Sequence, residues 1–195
     1  MMDLEQVIYT CLQDVDFYEE SGGGVTLSGG ECMCHPDFVE ALITELKKHN
    51  IHVAAETTGC IDTYIFHHLA PLFDLLLFDV KHYNSDRHFS GTGVYNEQII
   101  ENLTWAFDKG LHILPRIPVI PGFNAECKDA EGLCDLLVSI GLKTAQLLPF
   151  HQLGERKYEL LNQEYLYMNI KALYPEDLKE YQQIFLNRGI DCILQ

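Results

Sequence analysis

Strand-like and helix-like segments alternate along almost the whole chain, and this alternation limits the fold more than any other feature of the sequence. The clearest strand is the nearly continuous apolar run DLLLFDVK at 74–81, which is typical of a parallel strand covered on both faces. Amphipathic stretches at helical spacing, such as the one from Phe38 to Leu46, lie between the strands. The alternation predicts right-handed parallel units, either an open doubly wound sheet or part of a (β/α) barrel.

The other elements follow from the same patterns. We expect further strands at 25–28, 51–57, 112–119, 144–150 and 190–194. An opening helix is expected from Leu4 to Val15, and the segment from His151 to Pro175 is irregular enough to form a lid-like excursion. The sequence has no low-complexity linker and no fixed-period repeat, so a single domain over 1–195 is the simplest expectation.

Composition excludes several classes of partner. The chain has 195 residues and a formal net charge of −16, which repels phosphate backbones and anionic lipid. No apolar stretch reaches the length of a membrane helix. The seven cysteines are odd in number and irregularly spaced, unlike a secreted disulfide framework. We therefore expect a cytoplasmic protein that binds neither nucleic acid nor membranes.

Polar residues recur where the predicted strands end, which is where parallel α/β folds gather functional groups. They are Ser28-Gly29-Gly30-Glu31, Glu56-Thr57-Thr58-Gly59, Asp79 with Lys81, Arg116, and His151. Asp79 and Lys81 are two residues apart, so on a strand they share one face and would suit a zwitterionic ligand. Each group alone has a plainer explanation: a tight turn at the glycine pair, or a structural ion pair between Asp79 and Lys81.

Five motifs occur in the order in which one family has them. They are GVTLSGGE at 24–31, ETTG at 56–59, DVK at 79–81, Arg116 with PVIPG at 118–122, and LLPFHQLG at 147–154. Together they resemble the pyruvate formate-lyase activating enzymes, which activate glycyl-radical enzymes and belong to the radical S-adenosylmethionine superfamily. The resemblance runs from about Gly24 to the C-terminus. It implies a partial (β/α) barrel of the TIM type, with parallel strands and outer helices.

The resemblance also implies roles for the polar residues. Gly29, Gly30 and Glu31 would hold the amino group of S-adenosylmethionine. Asp79 and Lys81 would line the same pocket, and the cofactor and substrate side would be completed by Arg116 and His151. Members of this family can bind a monovalent cation, and the matching positions are Glu56, Thr57 and Asp79.

Family members carry a C-x-x-x-C-x-x-C loop that binds a 4Fe-4S iron–sulfur cluster, and no set of cysteines in this chain has that spacing. With the cluster and an electron donor, such oxidoreductases form a 5′-deoxyadenosyl radical that abstracts hydrogen from a glycine of the partner. The resemblance therefore predicts a domain of an activating enzyme that binds S-adenosylmethionine and is inactive alone. Its partner would be a glycyl-radical enzyme similar to pyruvate formate-lyase.

Two other functions are compatible with the sequence. The chain could be a cluster-less, non-catalytic module that docks a partner protein or a nucleoside. Cys32, Cys34 and His35 form a C-x-C-H group that could bind zinc in a hydrolase, although structural zinc usually needs two ligand pairs. Packing of these thiols as small apolar side chains is the plainer interpretation.

Overall fold

A computed structural model describes residues 2–152 and 170–194 of the chain. In these ranges the α-helices are α1 (Leu4–Leu12), α2 (Val15–Ser21), α3 (Pro36–Lys48), α4 (Thr63–Leu69), α5 (Ser85–Thr92), α6 (Glu97–Asp108), α7 (Cys127–Ile140) and α8 (Lys179–Asn187). The strands are β1 (Gly24–Leu27), β2 (His52–Thr57), β3 (Leu75–Asp79), β4 (Ile113–Val119), β5 (Thr144–Pro149) and β6 (Asp191–Leu194). Short 3-10 turns lie at Cys32–Cys34, Ala70–Leu72 and Pro175–Leu178.

The strand pairs β1–β2, β2–β3, β4–β5 and β5–β6 are all parallel. The strand order in the sheet follows the chain order from β1 to β6. Parallel strands need a crossover connection, and helices lie between consecutive strands throughout the described part of the chain. This arrangement confirms the predicted α/β class.

The chain forms two compact units. Unit 1 comprises Met1–Asp79 and Asn96–Pro115, and unit 2 comprises Val80–Tyr95 and Arg116–Gln195. The expectation of one domain over 1–195 stays a prediction.

Unit 1 is built on the first three strands. Thr26 of β1 pairs with Ala54 of β2, and Ala54 pairs in turn with Leu75 of β3. On the other side of β3, the Leu76 amide donates to the carbonyl of His112 at 2.9 Å. These pairings fix the register of the strands whose ends carry the predicted site residues.

The core of unit 1 lies between the sheet and its helices. The predicted apolar stripe of α3 is buried through Val39, Leu42, Ile43 and Leu46. The fully buried Phe66 ring of α4 meets the ring of Phe78 edge-to-face at 6.1 Å between centroids. Burial of such side chains contributes about 1.5–3 kcal/mol each, so these contacts hold the helices on the strands.

Unit 2 has β5 as its central strand. Gln146 of β5 pairs with Arg116 of β4 and with Ile193 of β6. The buried core of this unit includes Leu133 and Leu137 of α7 together with Tyr181 and Phe185 of α8. These four residues share the periodicity that predicts both helices.

Some element boundaries differ from expectation. The opening helix is divided, since α1 ends at Leu12 and α2 begins at Val15. β3 ends at Asp79, so strand alternation does not extend to Lys81. Arg116 lies inside β4 rather than at its end. The predicted excursion at 151–175 lies mostly outside the described residues. Across the two described ranges, no helix is both long and apolar enough to cross a bilayer.

Candidate functional site

The turn after β1 presents bare backbone. Gly29 and Gly30 are exposed, and a Cβ built on either glycine would meet no atom within 4 Å. Gly29 has a φ of +134°, a region that side chains rarely adopt, so the turn itself requires glycine there. Gly30 is outside that region, so nothing in the described part of the chain requires glycine at this position. Glycine at such a position leaves the backbone open to the close approach of a ligand.

Glu31 is held by the end of β2. Its carboxylate accepts hydrogen bonds from the Thr57 hydroxyl at 2.8 and 2.9 Å, from the Thr58 amide at 3.0 Å and from the Thr58 hydroxyl at 3.1 Å. Thr57 is 2% exposed, and its hydroxyl also accepts a hydrogen bond from the Gly59 amide at 2.9 Å. The predicted motifs at 28–31 and 56–59 therefore form one hydrogen-bonded cluster in unit 1.

Glu56 and Thr57 point to opposite faces of β2, because successive strand residues alternate. Glu56 accepts a hydrogen bond from the Ser28 hydroxyl. Glu56 pairs with Leu77, and Asp79 is two residues beyond Leu77 on the same strand. Glu56 and Asp79 therefore share one face of the sheet, while the Thr57 side chain lies on the other.

This geometry limits the predicted cation site. Of its three proposed members, Thr57 already donates to Glu31 and accepts from Gly59. Among the residues that the structure describes, no group of three or more His, Cys, Asp or Glu side chains could hold a metal ion. The monovalent cation stays a prediction that these observations do not support.

Arg116 and His151 line one surface cavity of about 350 Å³ in unit 2. Leu148 and Pro149 of β5 form part of its wall, and the other lining residues are Leu173 and Pro175. The cavity combines a guanidinium and an imidazole with apolar walls. That mixture suits a ligand with both an anionic or polar group and an apolar body.

Lys81 is fixed through its backbone. Its carbonyl accepts a hydrogen bond at 2.7 Å from the side-chain amide of Asn124, which is fully buried. The preceding amide, that of Val80, donates to the carbonyl of Arg116 at 2.8 Å. Asn124 is not predicted from the sequence, since a lone asparagine after a Pro-Gly turn suggests a loop residue.

His82 and Asp129 form a second buried polar group that the sequence does not predict. They are 2% and 3% exposed, and His82 Nε2 lies 3.7 Å from Asp129 Oδ1. His82 Nδ1 accepts a hydrogen bond from the Asn84 amide at 3.0 Å, which leaves the proton of a neutral ring on Nε2. Burial lowers the pKa of His82 below its usual value, although the charge of Asp129 acts in the opposite direction.

The cysteines do not fit a cluster or a zinc ion. All seven are free thiols, none is spaced for the cluster loop, and Cys34 and Cys60 are exposed. Burial and the neighbouring charge of Glu31 raise the pKa of Cys32 to about 12. The zinc hypothesis for Cys32, Cys34 and His35 gains no support, because the described residues contain no group of three or more His, Cys, Asp or Glu side chains that could hold a metal ion.

Comparisons with known proteins agree with the motifs. Residues 6–134 match the Radical SAM superfamily. The chain is 36% identical over 174 residues to the 4-hydroxyphenylacetate decarboxylase activating enzyme of Clostridioides difficile, covering 88% of this chain and 55% of the relative. It is 37% identical over 183 residues to the choline trimethylamine-lyase activating enzyme of Oleidesulfovibrio alaskensis, covering 92% and 59%. The chain thus spans little more than half the length of these relatives.

Solved structures share the fold. A domain of a pyruvate-formate lyase-activating enzyme from Bacteroides vulgatus superposes with a TM-score of 0.73 at 26% identity, covering 89% of this chain and 99% of that one. A radical SAM methyltransferase from Sphaerobacter thermophilus gives 0.72 at 17% identity over 100% of this chain and 57% of that one, a likeness of fold alone. The predicted partial (β/α) barrel is confirmed. The relatives named above are activating enzymes, and the chain itself belongs to the radical S-adenosylmethionine superfamily.

Proposed function

We propose that this chain is the part of an activating enzyme that binds S-adenosylmethionine through the turn at Gly29 and Gly30. The observation that carries the proposal is Gly30, an exposed glycine that neither backbone conformation nor packing demands. Backbone carbonyls at such a turn can accept hydrogen bonds from the α-ammonium group of the ligand. The Glu31 carboxylate, held by Thr57 and Thr58, adds negative charge and fixes the turn.

Charge supports this ligand. S-adenosylmethionine is a net cation, because it carries a sulfonium and an ammonium against one carboxylate. A chain with a formal charge of −16 attracts cations over several ångströms and repels anionic cofactors such as nucleoside phosphates. Lys81 is proposed to take the carboxylate of the ligand, and Arg116 and His151 are proposed to bind its remaining groups or the substrate.

The proposal gives this chain the binding of S-adenosylmethionine and not its cleavage. No set of its cysteines fits the iron–sulfur cluster, so no reaction step is assigned to these residues. Activation of a glycyl-radical enzyme, pyruvate formate-lyase-like or of another kind, is proposed for the whole protein together with an electron donor. Relatives named for a decarboxylase and a trimethylamine-lyase leave the choice of partner wide.

A change of Gly30 to alanine tests the proposal. The added methyl group enters open space, so the free energy of unfolding should be unchanged. Affinity for S-adenosylmethionine, measured by isothermal titration calorimetry, should fall about tenfold, roughly the effect of one lost hydrogen bond. Gly30→Ala with wild-type affinity would contradict the proposed contact.

Gly110→Ala is the matched control. Gly110 follows α6 with a φ of +70°, and a methyl group added there, as at Gly30, would meet no atom within 4 Å. Alanine at this position should cost about 1 kcal/mol of stability, because the left-handed backbone strains any side chain. Ligand affinity should not change. The two glycines thus separate a ligand requirement from a backbone requirement.

The missing cluster spacing favours a second candidate, a non-catalytic module that docks a glycyl-radical enzyme. The intact mass of the protein in its native cells distinguishes the two. A mass clearly above 22.3 kDa supports a piece of a longer activating enzyme, whereas a mass of about 22.3 kDa supports the docking module.

A further inference from the structure

We propose that Asn124 is a positioning residue, which sets the place of Lys81 for the bound ligand. This inference rests on the proposed binding of S-adenosylmethionine. Asn124 acts through hydrogen bonds that join the backbone of Lys81 to that of Pro118 and Ile120, and these residues all belong to unit 2.

The side chain of Asn124 makes three hydrogen bonds, all to backbone groups. Its amide nitrogen donates to the carbonyls of Lys81 at 2.7 Å and Pro118 at 2.9 Å. Its amide oxygen accepts from the Ile120 amide at 2.7 Å. Asn124 is fully buried, so water cannot replace a lost bond. Asparagine supplies two donors and one acceptor in this arrangement, whereas its charged and apolar isosteres do not.

These bonds close a ring around the two predicted ligand contacts. Val80 donates its amide to the Arg116 carbonyl on one side, and Asn124 joins Lys81 to Pro118 on the other. Lys81 follows Val80 directly, and Arg116 lies two residues before Pro118 on β4. The peptide segments that carry the ammonium and the guanidinium are therefore tied together at both ends.

Asn124 is itself fixed from two further sides. The buried Tyr181 hydroxyl of α8 donates to the Asn124 carbonyl at 3.0 Å. The neighbouring Phe123 carbonyl accepts a hydrogen bond from Arg87 Nη2 of α5 at 2.8 Å. Phe123 is 7% exposed and lies against His82 at 5.3 Å between ring centroids. Because these supports leave Asn124 little freedom to move, its hydrogen bonds have a defined geometry to impose on Lys81 and Pro118.

A double-mutant cycle of Asn124 and Lys81 substitutions, with affinity for S-adenosylmethionine as the measured quantity, tests the inference. Asn124→Ser keeps a neutral polar group but loses the bridge, and Asn124→Asp keeps the shape but loses both donors. Each should weaken binding about tenfold in calorimetry. In a Lys81→Met background the same changes should cost less than about twofold, because the group that Asn124 positions is gone. A purely structural role would give the same loss in both backgrounds.

A ligand without the amino acid part gives a second readout. 5′-Methylthioadenosine lacks the carboxylate proposed for Lys81, so its affinity should be unchanged in Asn124→Ser if it binds the wild-type chain. Leu137→Ala, which opens the core of unit 2 around a fully buried side chain, is the control for lost stability and should alter neither affinity in the folded protein.

The outcomes are distinct. Equal loss of affinity in the wild-type and Lys81→Met backgrounds, or no loss in either Asn124 variant, overturns the positioning role and leaves the proposed function standing. Failure of the wild-type chain to bind S-adenosylmethionine overturns the proposed function and this inference with it. Should Asn124→Asp not fold, Asn124→Ser alone decides, because it buries no charge.

Discussion

Removal of the Glu31 carboxylate should weaken the fold as well as the ligand site. Glu31 receives hydrogen bonds from the Thr57 hydroxyl, the Thr58 amide and the Thr58 hydroxyl at 2.8–3.1 Å. Hydrogen bonds to a charged group contribute about 1.5–3 kcal/mol each, against about 0.5–1.5 kcal/mol for neutral pairs. Glu31 is only half-buried, so water recovers part of this energy.

The expected losses follow from what each substitution leaves behind. Glu31→Ala removes the acceptor of the Thr57 hydroxyl, and Thr57 is only 2% exposed, so water cannot easily take its place. The substitution should lower the free energy of unfolding by about 2–4 kcal/mol. Glu31→Gln keeps one oxygen that can accept two hydrogen bonds, so it should cost about 1–2 kcal/mol. Thr57→Val removes the hydroxyl but keeps the shape, so combining it with Glu31→Gln should cost less than the sum.

Urea unfolding followed by circular dichroism measures these values, since the midpoint shifts at constant slope when only stability changes. Glu101→Gln, an exposed position on α6, is the control and should leave the midpoint in place. A Glu31→Ala protein within about 0.5 kcal/mol of wild type would show that the carboxylate does not hold the end of β2, because surface substitutions without structural partners have effects of that size.

Three further predictions concern other parts of the chain. Burial lowers the pKa of His82 in the folded protein, so as pH falls the unfolded state binds a proton at this residue first. The free energy of unfolding should therefore fall as pH drops through about 6.5. Urea unfolding measured at several pH values should show a smaller fall for His82→Gln. At pH 8 iodoacetamide should modify the exposed Cys34 well before Cys32, whose pKa is raised to about 12; equal rates by mass spectrometry would be inconsistent with its burial. Gly59→Ala should cost about 2–4 kcal/mol in thermal or urea unfolding, because φ is +66° and the new methyl group would overlap the Phe78 ring; a wild-type midpoint would contradict this packing.

Apolar periodicity predicted most of the fold. The runs at 51–57 and 144–150 became β2 and β5 with shifts of one residue at their ends, and the stripe of α3 is buried as predicted. These elements were predictable because their apolar residues repeat with the period of the element that buries them. Motif order predicted the family for a different reason, since it depends on the identity of a few polar residues at strand ends.

Helix α5 was missed because its sequence, SDRHFSGT, lacks an apolar stripe and contains a glycine and two serines. It forms through tertiary contacts and a cap: the Asn84 side chain accepts from the Arg87 amide at 3.0 Å, and His88 is 3% exposed. Local propensity carries little information when such contacts decide the structure.

We expect Arg116 among the residues at strand ends, although the strand predicted at 112–119 continues past it and past Pro115 and Pro118, which flank it. The structure pairs Arg116 with Gln146 in β5 and joins its carbonyl to Val80, so β4 continues through both prolines. The role of Asn124 could not be predicted from the sequence either. Its three side-chain partners are backbone groups, which leave no trace in the sequence pattern.

Calorimetric titration of the purified chain with S-adenosylmethionine is the most direct test of the proposed binding site. We expect saturable binding of one ligand per chain, weakened about tenfold by Gly30→Ala and unaffected by Gly110→Ala. Absence of saturable binding, or equal affinity of all three proteins, would contradict the proposal that the Gly29–Gly30 turn binds this ligand.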